Sequence, residues 1–266
     1  MTHTLVTGET PMLLDTLLSR YPDLHDQIAL LQALYRADPR PTIAAIGDYN
    51  TGKSALLNAL MERDLFTVAD RRETRQLQTG VAHGLCWLDT PGLNADPSGA
   101  DDAASQQAMA RADHLLILHA LGNGELAPDL LPLLEEHDAT LVLTRIDECS
   151  DGAREAALAA IRQQWDGPLV LCSSTRWQLG KRVGEEKVLA SSGIPALRQQ
   201  LMTDAAGWLT RRQRRFARLK APLEQILMAR QIQLQARVFK AQLAPLSARE
   251  SLADRLNQII DTLNNR

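Results

Sequence analysis

The chain has few cysteines, and none of them is spaced for pairing or for metal binding. Cys86, Cys149 and Cys172 stand far apart, and two of them lie in or beside apolar runs. This usage is typical of buried thiols in a reducing compartment, and it argues against a disulfide framework. The six histidines form no H-E-x-x-H pattern and no cluster with cysteine. The sequence therefore predicts neither a structural nor a catalytic zinc site.

Long apolar runs and a secretory signal pattern are also missing. The longest apolar runs fall well short of the roughly 20 residues that a helix needs to cross a bilayer. The residues before Leu13 lack a charged segment followed by an apolar one. We therefore expect a cytoplasmic protein, with peripheral membrane association as an open alternative. The 266 residues, of which 45% are hydrophobic, suffice for one sizeable domain and a smaller module.

A complete phosphate-binding loop is present at residues 47–54, which read Gly-Asp-Tyr-Asn-Thr-Gly-Lys-Ser. An apolar run at 42–46 precedes it and a helical segment at 55–60 follows it, which is the strand–loop–helix context that the motif requires. Glycines let backbone N–H groups close around phosphate oxygens, and the helix start adds its positive end. The predicted nucleotide-binding residues here are Gly47, Asp48, Tyr49, Asn50, Thr51, Gly52, Lys53, Ser54 and Ala55.

Three further segments follow in the order that a nucleotide switch requires. The run 85–92 is an apolar strand that ends in D-T-P-G, where Asp89 can hold Mg²⁺ and the amide of Gly92 can meet a γ-phosphate. The buried strand 140–147 ends in Asp147, whose carboxylate suits the guanine N1–H and amino group. A third strand, 169–174, ends in small polar residues of a loop on the base side.

In this order, the segments resemble those of P-loop GTPases of the translation-factor class, in the superfamily of Era-like and dynamin-related proteins. The resemblance covers roughly residues 40–204 and implies GTP and GDP as ligands, Mg²⁺ as cofactor and GTP hydrolysis as activity. Thr144 and Arg145 depart from the common N-K-x-D pattern. We expect the stem of Arg145 to cover a base, but we expect Thr144 not to tether the neighbouring loops. The base-side residues that the resemblance implies are Thr144, Arg145, Asp147, Ser173 and Ser174.

The resemblance also implies a switch threonine between the phosphate loop and Asp89. Thr74, in a segment similar to the family's T-T-R, is our choice, with Thr67 and Thr79 as competitors. Leu93 stands where Ras-like enzymes carry a water-orienting glutamine, so we expect slow intrinsic hydrolysis. The implied catalytic residues are Lys53, Thr74 and Gly92. The implied Mg²⁺ ligands are Ser54, Thr74 and Asp89.

Two routes to faster hydrolysis stay open at the sequence level. Era-like and tRNA-modifying GTPases with an asparagine at the position of Asn50 hold K⁺ with its side-chain carbonyl, and a cation there can replace an arginine finger. The alternative for Asn50 is a purely structural role in a polar turn. The other route to faster hydrolysis is homodimerisation across the nucleotide.

The alternation of apolar runs and helical segments predicts an α/β fold with a mostly parallel sheet and helices on both faces. Helical extensions flank it, so we expect an N-terminal helical segment at 1–38, a G domain at 39–204 and a C-terminal helical region at 205–266. The polar and charged stretch 177–192 is interpreted as an inserted, solvated loop. Residues 205–266 hold 12 Lys and Arg against 4 Asp and Glu, a net charge of +8.

Six of the ten residues from Arg211 to Lys220 are basic, and three interpretations of this stretch stay open. The flanking helices can form a bundle that contacts a membrane surface or a second copy of the chain. The stretch can instead bind RNA, although no RNA-binding signature is present. In the third interpretation it is a solvated face or docks against an acidic protein partner.

The function that the resemblance implies is a Mg²⁺-dependent, GTP-hydrolysing switch that regulates a partner or self-assembly through the helical extensions. An RNA- or ribosome-associated GTPase that acts through the basic helix is the first alternative. A nucleotide-binding scaffold with negligible turnover is the second.

Overall fold

The structure, a computed structural model, describes residues 10–35, 37–67, 77–93, 100–242 and 260–261. These residues form two compact units. The larger unit covers Gln32–Gln213, and the smaller one takes its described residues from 10–31, 214–242 and 260–261. The division into segments 1–38, 39–204 and 205–266 stays a prediction.

A six-stranded sheet forms the centre of the larger unit. Its strands are β1 Thr42–Gly47, β2 Gln78–Ala82, β3 Leu85–Asp89, β4 His114–Ala120, β5 Ala139–Thr144 and β6 Leu169–Leu171. Their order across the sheet is β2-β3-β1-β4-β5-β6, and only β2 runs antiparallel to its neighbour. The mostly parallel sheet predicted from the alternating segments is confirmed.

Helices account for most of the remaining described residues. They are α1 Thr10–Arg20, α2 His25–Tyr35, α3 Lys53–Met61, α4 Ala100–Arg111, α5 Leu130–Glu136, α6 Asp151–Gln164, α7 Ser174–Val183, α8 Glu186–Ser191 and α9 Ile194–Gln242. Single 3₁₀ turns occur at Pro22–Leu24 and Leu121–Asn123. Because parallel strands need long crossovers, the helices between them cover both faces of the sheet.

Alternate residues of the central strand β1 face two separate apolar cores. Ile43 and Ala45 belong to the core that α3, α7 and the first part of α9 cover, and Ala44 and Ile46 belong to the core under α4, α5 and α6. All six residues of β1 are buried. Burial on both faces fixes the position of this strand, and with it the position of the loop that leaves its carboxyl end.

The stretch 177–192 is helical rather than a solvated loop, which corrects the sequence interpretation. Residues of α7 and α8 fill it, and Trp177 is 7% exposed, within the core under α3. Arg198 and Lys181 lie over the indole ring at 5.1 and 5.5 Å from its centroid. The charged residues suggested solvation, but a single large aromatic side chain on an amphipathic helix anchors the segment instead.

The smaller unit is built from α1, most of α2 and the second half of α9. Leu24, Ile28, Leu31 and Leu223 are its buried apolar residues among those described. The guanidinium of Arg230 pairs with Asp23 and lies 5.4 Å from the ring centroid of Tyr21. Among the helices that the structure describes, including the 49-residue α9, none has both the length and the apolar composition of a bilayer span.

Candidate nucleotide-binding site

The phosphate loop connects β1 to α3 at the carboxyl edge of the sheet, the side on which the parallel strands end; the opposite side, where they begin, is the amino edge. Gly52 starts the helix with φ of +83°, a left-handed conformation that glycine adopts without a steric penalty. Lys53 is 7% exposed, and its Nζ donates to the carbonyl oxygens of Gly47 and Asp48 at 2.9 and 2.8 Å. The hydroxyl of Thr51 donates to the carbonyl oxygen of Asp48 at 2.8 Å. The loop is therefore closed around the lysine side chain.

A hydroxyl and a carboxylate meet beside this loop. The Oγ of Ser54 donates to Oδ2 of Asp89 at 2.6 Å, and Asp89, the last residue of β3, is fully buried. Burial raises the pKa of the Asp89 carboxyl, and the hydrogen bond from Ser54 and the charge of Lys53 only partly oppose it. The other carboxylate oxygen, Oδ1, has no hydrogen-bond partner among the described residues. An unsatisfied buried carboxylate oxygen next to a serine hydroxyl fits Mg²⁺, which prefers such ligands.

The D-T-P-G segment runs directly alongside the phosphate loop. The N–H of Leu93 donates to the carbonyl oxygen of Gly47 at 3.1 Å, and Asp48 and Leu93 form an isolated parallel bridge. A Cβ on Gly92 would lie 2.7 Å from the backbone of Tyr49, so only glycine fits this approach. Thr90 anchors the segment through a 2.7 Å hydrogen bond to Ala45. The contact of Gly92 with a γ-phosphate stays a prediction.

Thr144 connects the base-side loop to the phosphate loop, contrary to the expectation from its residue type. Its Oγ1 donates to the carbonyl oxygen of Thr51 at 2.7 Å and lies 3.4 Å from that of His119. The expectation rested on a comparison with the longer amide side chain of the asparagine that is common at this position. One buried hydroxyl suffices here because β5 ends close enough to the phosphate loop for a short side chain to reach it.

Arg145 also reaches the phosphate loop. It adopts φ of +56°, and its Nη2 donates to Oδ1 of Asn50 at 2.5 Å while Nη1 contacts Glu148 at 3.1 Å. Asn50 itself has φ of +63° and is exposed. Thus the asparagine carbonyl that was considered as a K⁺ ligand accepts a hydrogen bond from an arginine.

Asp147 and Ser173, which the sequence placed on two different base-side loops, are in direct contact. The hydroxyl of Ser173 donates to Oδ1 of Asp147 at 2.5 Å, and its oxygen accepts from the N–H of Arg176 at 2.9 Å. Ser173 is therefore the N-cap of α7, whose first residue is Ser174. This cap orients the half-buried carboxylate of Asp147. Both predicted base-side loops come together at the carboxyl edge of the sheet.

Of the three candidates for the switch threonine, the structure describes two. Thr74 lies outside the described residues, so its role in catalysis and in Mg²⁺ binding stays a prediction. Of the two competitors, Thr67 is exposed, and Thr79 is an exposed residue of β2 that pairs with Leu88 of β3.

His119 is a buried residue near the site that the sequence analysis did not single out. It lies near the end of β4 with 2% exposure, and its Nε2 is 3.2 Å from the carbonyl oxygen of Gly124. Burial lowers the pKa of its imidazole, and Nδ1 has no hydrogen-bond partner among the described residues. The available signal was a second histidine, after His114, in the otherwise apolar strand at 114–120.

The basic stretch at 211–220 divides into residues with different roles. Arg212 is largely buried and bonds to Asp113 and to the carbonyl oxygens of Asp38 and Arg40, the latter two at 2.5 and 2.9 Å. Arg211 pairs with Asp138 at 2.5 Å, and Lys220 pairs with Glu224 at 3.2 Å. The remaining three, Arg214, Arg215 and Arg218, are exposed. The stretch is thus a buried clamp, two surface ion pairs and three exposed arginines.

Comparison with known proteins shows similarity to GTPases over part of the chain. Residues 42–147 match a family model described as 50S ribosome-binding GTPase. An uncharacterized protein of Acinetobacter baylyi is 38% identical over 199 residues, which cover 70% of this chain and 48% of that protein. The tRNA modification GTPase MnmE of Alkalilimnicola ehrlichii is 28% identical over 206 residues, which cover 71% of this chain and 41% of that protein. The chain spans less than half the length of these curated relatives.

Solved structures show a similar fold. An oligomerised bacterial dynamin pair aligns with a TM-score of 0.52 and 14% identity over 96% of this chain and 64% of that chain. Era of Aquifex aeolicus, bound to GDP and AlF4⁻, aligns with a TM-score of 0.48 and 19% identity over 61% of this chain and 56% of that chain.

Residues 42–147 therefore match a GTPase family, which agrees with the P-loop GTPase motifs in the sequence. The phosphate loop, the D-T-P-G segment and the base-side strand β5 all lie within the matched residues 42–147. The base-side residues on the loop after β6 lie beyond the matched range.

Proposed function

We propose that the chain binds GTP with Mg²⁺ and hydrolyses it, and that the bound nucleotide sets the conformation of its switch segments. The contact between Ser54 and Asp89 at 2.6 Å carries this proposal. It places a hydroxyl and an unsatisfied buried carboxylate oxygen beside the lysine of a closed phosphate loop. These are the groups that Mg²⁺-dependent phosphoryl transfer requires.

In the proposed mechanism, the chain's own residues position the phosphates. Lys53 leaves the carbonyl oxygens of its own loop, in whole or in part, to contact the terminal phosphates. Ser54, Thr74 and Asp89 would hold Mg²⁺, which would neutralise charge that develops on the phosphate oxygens. Water attacks the γ-phosphorus, and the bond to the β-phosphate oxygen breaks to give GDP and phosphate. Because Leu93 cannot orient this water, intrinsic turnover is slow.

Loss of the γ-phosphate is the step that releases the switches. Gly92 packs against Tyr49 of the phosphate loop, so a ligand that inserts its γ-phosphate here changes the path of the D-T-P-G segment. Thr74 and Gly92 then respond to the same group. A scaffold with negligible turnover is the alternative, and phosphate release under single-turnover conditions distinguishes the two. Turnover that matches the Lys53→Ala variant would favour the scaffold.

We propose that Asp147 selects guanine. Its carboxylate, oriented by Ser173 at 2.5 Å, accepts from the N1–H and amino group of the base. Asp147→Asn turns one acceptor into a donor and is expected to move the preference from GTP to xanthosine triphosphate. Competition binding of the two nucleotides measures this shift. Unchanged specificity in a variant that still binds nucleotide would remove Asp147 from the base site.

The exposed arginines of α9 support a further proposal, that the helical extension contacts an anionic partner. Arg214, Arg215 and Arg218 are exposed, and Met228 and Ile232 are exposed apolar residues further along the same helix, at 66% and 52%. A basic segment followed by exposed apolar residues on one helix favours a lipid surface over RNA. The dynamin pair with a similar fold is described as sensing and tethering membranes.

This partner proposal is tested by neutralising only the three exposed arginines to glutamine. Arg212 must stay, because its loss removes a buried clamp. Co-sedimentation with anionic liposomes should fall, while a matched variant that neutralises Arg63, Arg182 and Lys187, which are exposed elsewhere, should bind normally. An RNA gel shift over a salt series is the parallel assay. Loss of RNA binding with unchanged lipid binding would favour the RNA alternative.

A further inference from the structure

A side-chain clasp joins the phosphate loop to the loop after β5. Arg145 donates from Nη2 to Oδ1 of Asn50 at 2.5 Å and from Nη1 to Glu148 at 3.1 Å; these three residues are the Arg145 clasp. The neighbouring residues Thr144 and Thr51 bond at 2.7 Å. Two adjacent residues of one loop therefore hold two adjacent residues of the other.

The backbone at both ends of the clasp has an uncommon conformation. Asn50 and Arg145 have φ of +63° and +56°. Asparagine adopts this left-handed region readily, but arginine does so at a cost that the surrounding contacts must offset. The side chains of the two residues meet between the loops. Such costs persist mainly where the geometry serves a purpose.

The clasp places a permanent positive charge on the outer turn of the phosphate loop. A guanidinium does not lose its proton in proteins, and Glu148, whose side chain is 55% exposed, neutralises it only weakly through solvent. Carbonyl oxygens are the ligands that replace water around K⁺. A K⁺ ion at Oδ1 of Asn50 would share that oxygen with the guanidinium at close range, where two positive charges repel.

We propose that Arg145 is a positioning residue that couples the base-side loop to the phosphate loop through Asn50 and makes nucleotide binding independent of K⁺. The guanidinium occupies the oxygen that a monovalent cation would use and supplies the positive charge itself. This inference rests on the proposed function, since it concerns the retention of a guanine nucleotide at the same site.

The test compares the release rate of fluorescent GDP in KCl and in NaCl at equal ionic strength. The variants are Arg145→Ala, Asn50→Ala and the double variant. Arg154→Ala is the matched control, because the half-buried Arg154 pairs with Asp151 of its own helix, α6. The wild type should release GDP equally fast in both salts. Arg145→Ala should release it about fivefold faster, as expected for the loss of one charge-assisted hydrogen bond.

The cation response of the variants is the decisive readout, because a merely structural role would not alter it. In Arg145→Ala the freed Asn50 oxygen should make release slower in KCl than in NaCl, and the double variant should lose this difference. Arg145→Lys retains a positive charge and should stay insensitive to K⁺, which keeps the test usable if the alanine variant unfolds. Thermal melting reports the folding of each variant.

The outcomes separate the inference from the proposed function. A wild type that binds neither GDP nor GTP would overturn both. A wild type that binds GDP but retains it longer in KCl than in NaCl would overturn the clasp alone. An Arg145→Ala variant that is folded, binds GDP and shows no cation difference would also overturn the clasp and leave the GTP-binding proposal intact.

Discussion

The two edges of the central sheet differ in how completely their polar groups are satisfied. At the carboxyl edge, Oδ1 of Asp89 is buried without a partner among the described residues, and Asn50 and Arg145 are left-handed. At the amino edge, Arg212 places its Nε 2.6 Å from Asp113 and bonds through both Nη atoms to neighbouring oxygens. The carboxyl edge thus contains a buried polar atom without a hydrogen-bond partner among the described residues, whereas the polar groups of Arg212 and Asp113 at the amino edge are hydrogen-bonded.

His114 extends the same contrast at the amino edge. Its ring lies between Asp138 at 2.8 Å and Thr140 at 3.0 Å and stacks on Trp208 with the ring centroids 4.7 Å apart. Buried polar groups that are fully bonded stabilise a fold, whereas unsatisfied ones cost free energy unless a ligand completes them. The difference teaches that polar contacts at the amino edge stabilise the sheet, whereas the carboxyl edge keeps an unsatisfied polar group that a ligand can bind.

The largest effect is expected at the carboxyl edge, for Lys53→Ala. Without the ammonium group the terminal phosphates lose their main side-chain contact, and affinity for GTP should fall at least about 1,000-fold, or about 4 kcal/mol. Isothermal titration calorimetry with GTP and Mg²⁺ measures the loss. A variant that retains wild-type affinity would remove Lys53 from the phosphate site.

At the amino edge, Arg212→Ala should lower stability without altering the affinity of the folded protein for nucleotide. It leaves Asp113, whose side chain is 3% exposed, buried without its cation, which is expected to cost about 3 kcal/mol. Urea unfolding measures this loss. The matched control is Arg211→Ala, because the Arg211 side chain is 55% exposed and its loss should cost less than about 1 kcal/mol. Equal losses of unfolding free energy in the two variants would show that Arg212 is not a stabilising buried contact at the amino edge.

Asp89→Asn should have opposite effects on binding and on stability. Because burial raises the folded pKa of this carboxyl, the folded state binds the proton more tightly than the unfolded state. The carboxylate therefore costs stability above its folded pKa and costs nothing well below its ordinary pKa of 3.8. At pH 7 the asparagine variant should be more stable by on the order of 1 kcal/mol and should bind nucleotide with less dependence on Mg²⁺. Reduced stability of the variant at pH 7 would contradict the interpretation that the buried Asp89 carboxylate costs stability in the absence of a ligand.

The smallest effect is expected for Asp138→Asn at the amino edge. The hydrogen bond with His114, which outweighs the opposing effect of burial, and then the charges of His114 and Arg211 lower the pKa of Asp138 below its ordinary value of 3.8. Its stabilising contribution is therefore present above pH 3.8 and is lost as the pH falls through the lower folded value. Since the Asp138 side chain is 41% exposed, we expect about 0.5 kcal/mol at pH 7. Urea melts of both proteins from pH 7 to pH 3 should converge at the acid end.

Much of the nucleotide site could be predicted because its residues are close in sequence. The phosphate loop is one continuous segment, and glycines at fixed positions between a strand and a helix allow few other conformations. The hairpin of β2 and β3 also depends on residues that are close in sequence. Its turn at His83 and Gly84, with φ of +52° and +74°, has the two left-handed residues that a tight hairpin needs.

Contacts between distant residues could not be read in the same way. Thr144 was expected to leave the loops untethered, yet its hydroxyl reaches Thr51, 93 residues away. The stretch 177–192 was interpreted as a solvated loop from its charges, but the packing of Trp177 outweighs them. Arg212 was grouped with five other basic residues, although only it meets a buried carboxylate.

The sequence by itself determined the phosphate loop, the D-T-P-G segment and the parallel α/β arrangement, because short spacings and alternating apolar runs restrict the backbone locally. Only the tertiary structure decided which polar groups are satisfied. It brought Arg145 to Asn50 and Ser173 to Asp147 at the carboxyl edge, and Arg212 to Asp113 at the amino edge. The physical reason is that a hydrogen bond depends on distance and burial, which the order of strands in the sheet sets and residue type does not.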